Sequence, residues 1–399
     1  MIPYGKHFLD SEDIQAVVDV LENGWLTQGP AIREFEQHLA KHVGAEFAVA
    51  VSSGTAALHL SCLALELPEG SLGVTSANTF VASSNAMIYA GLEPDFADIS
   101  DNDLNINIES YALRSRKVPK VIMPVHFAGA PADMEAVAKF AQHHGSFVIE
   151  DASHALGAKY ADGSLVGCCK YSDLTTFSFH PVKGVTSGEG GAITTNNPDL
   201  YSKLLRLRSH GIEKGNFDLP NISSADGLLQ NQENAFTDGK FNPWYYEMQT
   251  LGFNYRITDF QACLALSQLK KLSAFLEKRQ LLASYYDRIL SQNSWVQPKQ
   301  VQTRDLSSLH IYVVEIDWSA VGKTRQAVMS ELFNDGIGTQ VHYIPVPMHP
   351  YYEKKGFSIS DYPATRAYYE KGLTLPLYFQ LEKKDLDFVF EKLSEKLGV

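Results

Sequence analysis

Cysteine is scarce in this 399-residue chain: Cys62, Cys168, Cys169 and Cys263 are the whole complement. Cys168 and Cys169 are adjacent, which suits neither an ordinary disulfide nor a CxxC redox pair, and no metal-ligand spacing is present. A reducing cytoplasm and a protein without a bound metal are the expectation. No apolar run reaches the roughly 20 residues of a membrane span. The opening Met1-Ile2-Pro3-Tyr4-Gly5-Lys6 lacks the apolar core of a secretory signal. Positive charge is also short, since 34 Lys and Arg against 46 Asp and Glu leave a formal net charge of -12. That balance argues against a nucleic-acid partner or an anionic membrane surface. It leaves open a phosphate-bearing ligand held by backbone amides.

What remains is an ordinary globular composition, 45% hydrophobic and 20% charged, long enough for a large core and two domains. Ile14, Val17, Val18 and Leu21 after Ser11 predict a helix capped at Ser11 and stopped at Gly24. Ile32, Phe35, Leu39 and Val43 predict another, ended by Gly44. Strand-like and helix-like segments then alternate: strands at 47–51, 120–125, 147–150, 175–179 and 192–195, helices at 55–65 and 133–144. Continuous apolar strands interleaved with helices imply an α/β fold whose mostly parallel sheet is covered on both faces. From about Asp259 the pattern changes to a long helix from Ala262 to about Leu290, strands at 310–316 and 340–343, and helices at 327–333 and 385–397. The expected organisation is a large domain over 1–258 and a smaller α+β domain over 259–399. A polar interval at 215–239 reads as a loop insertion, a candidate lid.

Ligands of such sheets sit at the carboxyl ends of the strands, and several chemistry-bearing residues fall there. Asp151 ends the run Phe147-Val148-Ile149-Glu150. Lys183 follows in Ser178-Phe179-His180-Pro181-Val182-Lys183-Gly184. A lysine amine that condenses with an aldehyde, together with a carboxylate that holds a pyridine nitrogen protonated, suits pyridoxal phosphate chemistry. Taken singly, a lysine is mostly a solvated surface group and a strand-end Asp a helix cap. Ser53-Gly54-Thr55-Ala56 lies between a strand and a helix, where amides can hold a phosphate, or simply form a capped turn. Ser178 adds a hydroxyl. Phe80 can stack on a ring or belong to the core, and His154 can reach a cofactor or only steady Asp151. Thr186-Ser187-Gly188-Glu189-Gly190-Gly191 lacks the GxGxxG spacing and reads as a tight turn.

Together these segments resemble the DegT/StrS family of pyridoxal-phosphate-dependent sugar aminotransferases, within fold-type I. The likeness runs from Trp25-Leu26-Thr27-Gln28-Gly29-Pro30 and Ser53-Gly54-Thr55-Ala56-Ala57-Leu58 through Glu150-Asp151-Ala152-Ser153-His154. It continues over the lysine segment, Arg208-Ser209-His210-Gly211-Ile212 and Leu251-Gly252-Phe253-Asn254-Tyr255-Arg256 to Val341-His342-Tyr343-Ile344-Pro345. The resemblance implies that Lys183 is the Schiff-base lysine and Asp151 the partner of the pyridine nitrogen. It implies that Phe80 stacks on the ring, that His154 lies near the phenolic oxygen, and that Gly54, Thr55, Ala56 and Ser178 hold the phosphate. Asn254 would reach the phosphate of a second subunit, which implies a homodimer with shared active sites.

Substrate residues implied in the same way are Tyr4, Trp25, Leu26, Thr27, His342 and Tyr343, with Arg256 for a carboxylate. The wording of the segments is most similar to the branch that aminates C4 of a UDP-linked 4-keto-6-deoxy-N-acetylaminosugar, as in pseudaminic acid formation, with L-glutamate as donor. Perosamine-type and 4-amino-arabinose-type aminotransferases are alternatives. A sugar dehydratase using the amine form of the cofactor is a further one, although such relatives replace the lysine by His. So is a noncatalytic regulator.

Overall fold

Five-residue strands whose successive side chains point to opposite faces build two apolar cores at once. The structure, a computed structural model, describes residues 1–114, 117–214, 232–238, 240–291 and 293–398. Its main sheet has seven strands: β1 (Phe47–Val51), β2 (Leu72–Ser76), β3 (Glu93–Ala97), β4 (Val121–Met123), β5 (Phe147–Asp151), β6 (Leu174–Ser178) and β7 (Gly191–Thr195). Their order is β1-β7-β6-β5-β4-β2-β3. β7 runs antiparallel to both neighbours and the other pairings are parallel.

Alternation divides the strands between two layers. Ala48, Ala50, Val148 and Phe177 join one core with the helices Pro30–Val43, Met134–His144 and Asp259–Lys270. Val49, Val51, Ile149 and Leu174 join the other with the helices Gly54–Ala64, Ala82–Tyr89 and Pro198–Arg208. A second, three-stranded antiparallel sheet of Val296–Pro298, Tyr312–Ile316 and Gly372–Leu375 has a core of its own. That core packs against the helices Leu272–Leu290, Arg325–Asn334 and Lys383–Leu397.

Several details differ from the sequence reading. The first helix, Ser11–Asn23, is capped by Asp10 and not by Ser11, because the Asp10 carboxylate accepts from the amides of Glu12 and Asp13. The expected long helix is two helices that meet at Lys271, whose backbone caps both. The expected strand at 340–343 is a loop with one bridge, Gln340 to Thr374. Unexpected strands include β2, β3, Val296–Pro298 and Gly372–Leu375. The interval 215–239 lies outside the described residues except for 232–238. Among the described residues no helix is long and apolar enough to cross a membrane.

The helix Ser11–Asn23 is locked to the helix Asp259–Lys270 by charge as well as by apolar contact. Asp13 is fully buried and accepts from Ser267 Oγ at 2.6 Å and Gln268 Nε2 at 2.7 Å, with Lys271 Nζ 3.0 Å away. Gln268 also donates to the Phe8 carbonyl at 3.1 Å, which pins the chain just before that helix. Removing one partner of a buried charged network leaves the others desolvated and unpaired. Asp13→Ala is expected to cost about 3 kcal/mol, read as a lowered urea midpoint at unchanged slope. A loss below about 1 kcal/mol would contradict this account.

Candidate active site

The carboxyl ends of β2, β5 and β6 open onto one cleft, and loops from the second sheet close its far side. Asp151, the last residue of β5, is buried and faces the helix Ala82–Tyr89. Its carboxylate accepts from Ser83 Oγ at 2.8 Å, from the Ser153 amide at 3.1 Å and from Ser153 Oγ at 2.6 Å. Three donors fix its orientation before any ligand arrives. Lys183 lies on the loop after β6, where its amide donates to the His180 carbonyl at 2.9 Å. Burial depresses its amine from the usual range to about 8, with the Asp151 charge opposing the shift. An amine so placed is readily uncharged and nucleophilic near neutrality.

Three histidines surround that amine. His154, just after β5, lies tilted against His310 with ring centroids 4.3 Å apart, and its Nε2 lies 3.0 Å from Tyr343 Oη. His342 is held by Thr374 Oγ1 at 2.8 Å from its Nδ1, and the ring of Tyr4 lies 5.4 Å from it. Burial keeps His154 and His310 well below the ordinary imidazole range, and the Lys183 charge adds to the effect. His342 is lowered to about 3 for the same two reasons. Tyr343 is raised, by burial and then by the Asp151 charge. Phe80 is exposed, with its ring 6.0 Å from that of Tyr343.

The Ser53-Gly54-Thr55 turn meets this cleft from β1. A Cβ at Gly54 would stand 2.9 Å from Ser178 Cβ, so only glycine lets the turn and the β6 end approach so closely. Ala56 differs from its neighbours, because its amide is already taken by Ser53 Oγ at 3.1 Å. The amides of Gly54 and Thr55 precede the first internal hydrogen bond of the helix, Ala57 to Ser53, and are the ones open to an anion.

Other expected residues stand apart from the Lys183 cluster. Trp25, Leu26 and Thr27 are exposed, on a turn whose Leu26 carbonyl accepts from the Asp259 amide at 3.0 Å. Asn254 is exposed and bridges Ser209. Arg256 lies within the electrostatic reach of Arg208, and its buried Nε has no hydrogen-bond partner. The sequence reading missed Ser83, Asn78 and His310. Asn78 is fully buried and accepts the Tyr343 amide at 3.3 Å. Its place at the end of β2, two residues before Phe80, was a usable signal; His310, inside an apolar run, offered none.

The profile of the DegT/DnrJ/EryC1/StrS aminotransferase family matches residues 7–394. The chain belongs to that family. It is 36% identical over 396 residues to the spore coat polysaccharide biosynthesis protein SpsC of Bacillus subtilis (strain 168), covering 99% of this chain and 96% of that protein. Its fold is similar to that of Helicobacter pylori PseC, an aminotransferase involved in the biosynthesis of pseudaminic acid. The two agree with a TM-score of 0.88 at 28% identity, over 100% of this chain and 99% of PseC. The PLP form of the Streptococcus pneumoniae sugar aminotransferase Spr1654 is similar as well, with a TM-score of 0.85 at 27% identity over 100% and 98% of the two chains. This chain is a pyridoxal-phosphate-dependent sugar aminotransferase.

The cleft fits that cofactor. His154 Nδ1, His310 Nδ1 and Asn78 Nδ2 are buried without a hydrogen-bond partner, an unfavourable state unless a polar ligand or water meets them. His154 Nε2 is already engaged with Tyr343 Oη, which leaves Nδ1 for a ligand. Among the described residues no group of His, Cys, Asp and Glu is arranged to hold a metal ion.

The histidine cluster sets a pH dependence. The unfolded chain takes up protons at His154, His310 and His342 near pH 6.5, whereas the folded chain does not, so stability falls as pH drops below that value. The melting temperature of the cofactor-free protein should fall from pH 7 to pH 5, and His310→Asn should flatten the fall. Equal steepness in variant and wild type would contradict the assignment.

Proposed function

We propose that this enzyme moves an amino group from L-glutamate to C4 of a UDP-linked 4-keto-6-deoxy-N-acetylaminosugar, in the formation of a pseudaminic-acid-type sugar. The end-to-end likeness to PseC supports this choice within the family. In the same proposal the enzyme is a cytoplasmic homodimer, divided into a large unit over 1–258 and a smaller one over 259–399. Asn254, exposed on its own subunit, then reaches the phosphate site of the other.

Bound pyridoxal phosphate supplies an aldehyde for primary amines and a ring that takes up the electron pair released from a C–H bond. The chain does the rest. Lys183 Nζ, with its lowered basicity, would be the residue that holds the cofactor's aldehyde carbon and, when freed, the base that would carry the proton of the donor's α-carbon. Asp151, clamped by Ser83 and Ser153, holds the proton on the ring nitrogen. Gly54, Thr55 and Ser178 bind the phosphate, with Ala56 closing the turn behind them. Phe80 and His154 would hold the cofactor's ring and its phenolic oxygen. Tyr4, the Trp25 to Thr27 turn, His342 and Tyr343 contact the sugar nucleotide, and Arg256 receives a carboxylate.

The observation that carries the reading is one loop lysine, partly desolvated and facing a buried carboxylate at the strand ends. Lys183→Ala should lose about 10⁴-fold in turnover while still binding the amine form of the cofactor. For the wild type, L-glutamate should bleach the visible absorption of the loaded protein and the 4-keto UDP-sugar should restore it. Bleaching without restoration by any UDP-sugar would remove the substrate; appreciable turnover by Lys183→Ala would remove the role of the lysine.

A further inference from the structure

The residue before Asp151 has no part in the chemistry above, yet its buried carboxylate is solvated on both oxygens by protein groups alone. Glu150 is fully buried and points to the opposite face of β5 from Asp151, as adjacent strand residues do. Its Oε2 accepts from His126 at 2.7 Å and from Tyr160 Oη at 2.5 Å. Its Oε1 accepts from Ser172 Oγ and from Thr175 Oγ1 at 3.0 Å. Two donors on each oxygen saturate an ionised carboxylate and leave no room for its proton.

The tautomer of His126 is fixed by its other nitrogen. Nδ1 accepts from the Ala132 amide at 3.0 Å, so Nε2 carries the proton given to Glu150 and the ring is neutral. Among the described residues no lysine or arginine forms an ion pair with Glu150, so its charge is dispersed by dipoles and not cancelled. The groups facing it are His126 after β4, Tyr160 after β5, and Cys169, Ser172 and Thr175 before or on β6. Those facing Asp151 are Lys183 and Tyr343, and Lys183 in turn meets His154, His310 and His342. Burial pushes the Glu150 carboxyl up, and the hydrogen bonds from His126, Ser172 and Tyr160 push it down. The same network ties the backbone: the His126 amide donates to the Asp151 carbonyl at 3.1 Å, and the Ala152 amide to Thr176 at 2.9 Å.

We propose that Glu150 is a positioning residue for the cofactor, a second negative charge behind Asp151 whose field helps keep the ring nitrogen protonated. The inference rests on Asp151 being the partner of that nitrogen. One uncancelled charge a strand's width away, in a medium of intermediate dielectric, changes a proton affinity by about tenfold. Glu150→Gln is the informative variant because it removes charge at nearly constant shape. Its amide can face Ser172 and Thr175, whose hydroxyls rotate to accept, while His126 and Tyr160 keep their oxygen. Glu150→Asp keeps the charge and loses the fit.

The experiment loads wild type, Glu150→Gln, Glu150→Asp and Asp151→Asn with pyridoxal phosphate labelled with ¹⁵N in the ring. The ring-nitrogen chemical shift is then followed against pH, with melting of the cofactor-free proteins as a check of folding. In Glu150→Gln the nitrogen should lose its proton about 1 pH unit lower than in wild type, the tenfold change above, whereas Glu150→Asp should titrate like wild type at a reduced melting temperature. An unchanged titration in Glu150→Gln, or an equal shift in Glu150→Asp, would overturn the role of the charge. If Asp151→Asn leaves the nitrogen protonated, the underlying reading of Asp151 fails instead. Should Glu150→Gln not take up the cofactor, the same titration on Glu150→Gln with Ser172→Ala, which removes a hydroxyl facing the new amide, decides the matter.

Discussion

The site depends on one constraint: a carboxylate and an amine must stand close together in a place with little water, and neither may be quenched by the other. Asp151 meets it by spending its lone pairs on Ser83 and Ser153, so that it does not close onto Lys183. Lys183 meets it by sitting on a loop, where burial lowers its basicity. The neutral histidines around it add donors and acceptors without adding charge. A protonated imidazole beside that amine would be repelled, which is the physical reason three histidines can share so small a volume.

The rest of the molecule supplies rigidity to that arrangement. Parallel strands deliver Asn78, Asp151 and Ser178 to one edge, and the two apolar cores on either face of the sheet leave the strand ends little freedom. The second sheet contributes His310, His342 and Tyr343 from the other side. Contact between the two halves is close: Ser308 Oγ donates to the His154 carbonyl at 2.5 Å, and a Cβ at Gly129 would stand 2.4 Å from that same hydroxyl. The cleft is therefore assembled by the packing of the two sheets and not by either alone.

Much of this was legible in the sequence where local physics decides. Apolar runs such as Phe47–Val51 and Phe147–Asp151 became strands, and Gly44 and Gly145 ended helices in left-handed conformations. What failed was non-local. Leu72–Ser76 is too mixed to announce a strand and becomes one because β3 and β4 pair with it on both sides. The run from Ala262 to Leu290 has unbroken helical character, and the break at Lys271 follows from packing against the first helix. In the site, Asp151 and Lys183 were visible from spacing and family likeness. Ser83, Asn78 and His310 were not, because each acquires its meaning from a partner far away in the chain.

Asp259 holds a further consequence. One buried carboxylate receives the amides of Gly29 and Ala31 at 2.9 and 3.1 Å, while its own amide binds the Leu26 carbonyl. It thus fastens the start of one helix to the start of another, its own side chain and amide gripping only main-chain atoms of the 26–31 stretch. The side chains of Trp25, Leu26 and Thr27 take no part in that fastening. Exchanging those side chains removes none of these bonds, so the turn is held independently of what it displays. Whatever the turn displays to solvent, the strand ends that carry Asp151 and Ser178 are held by a different set of contacts.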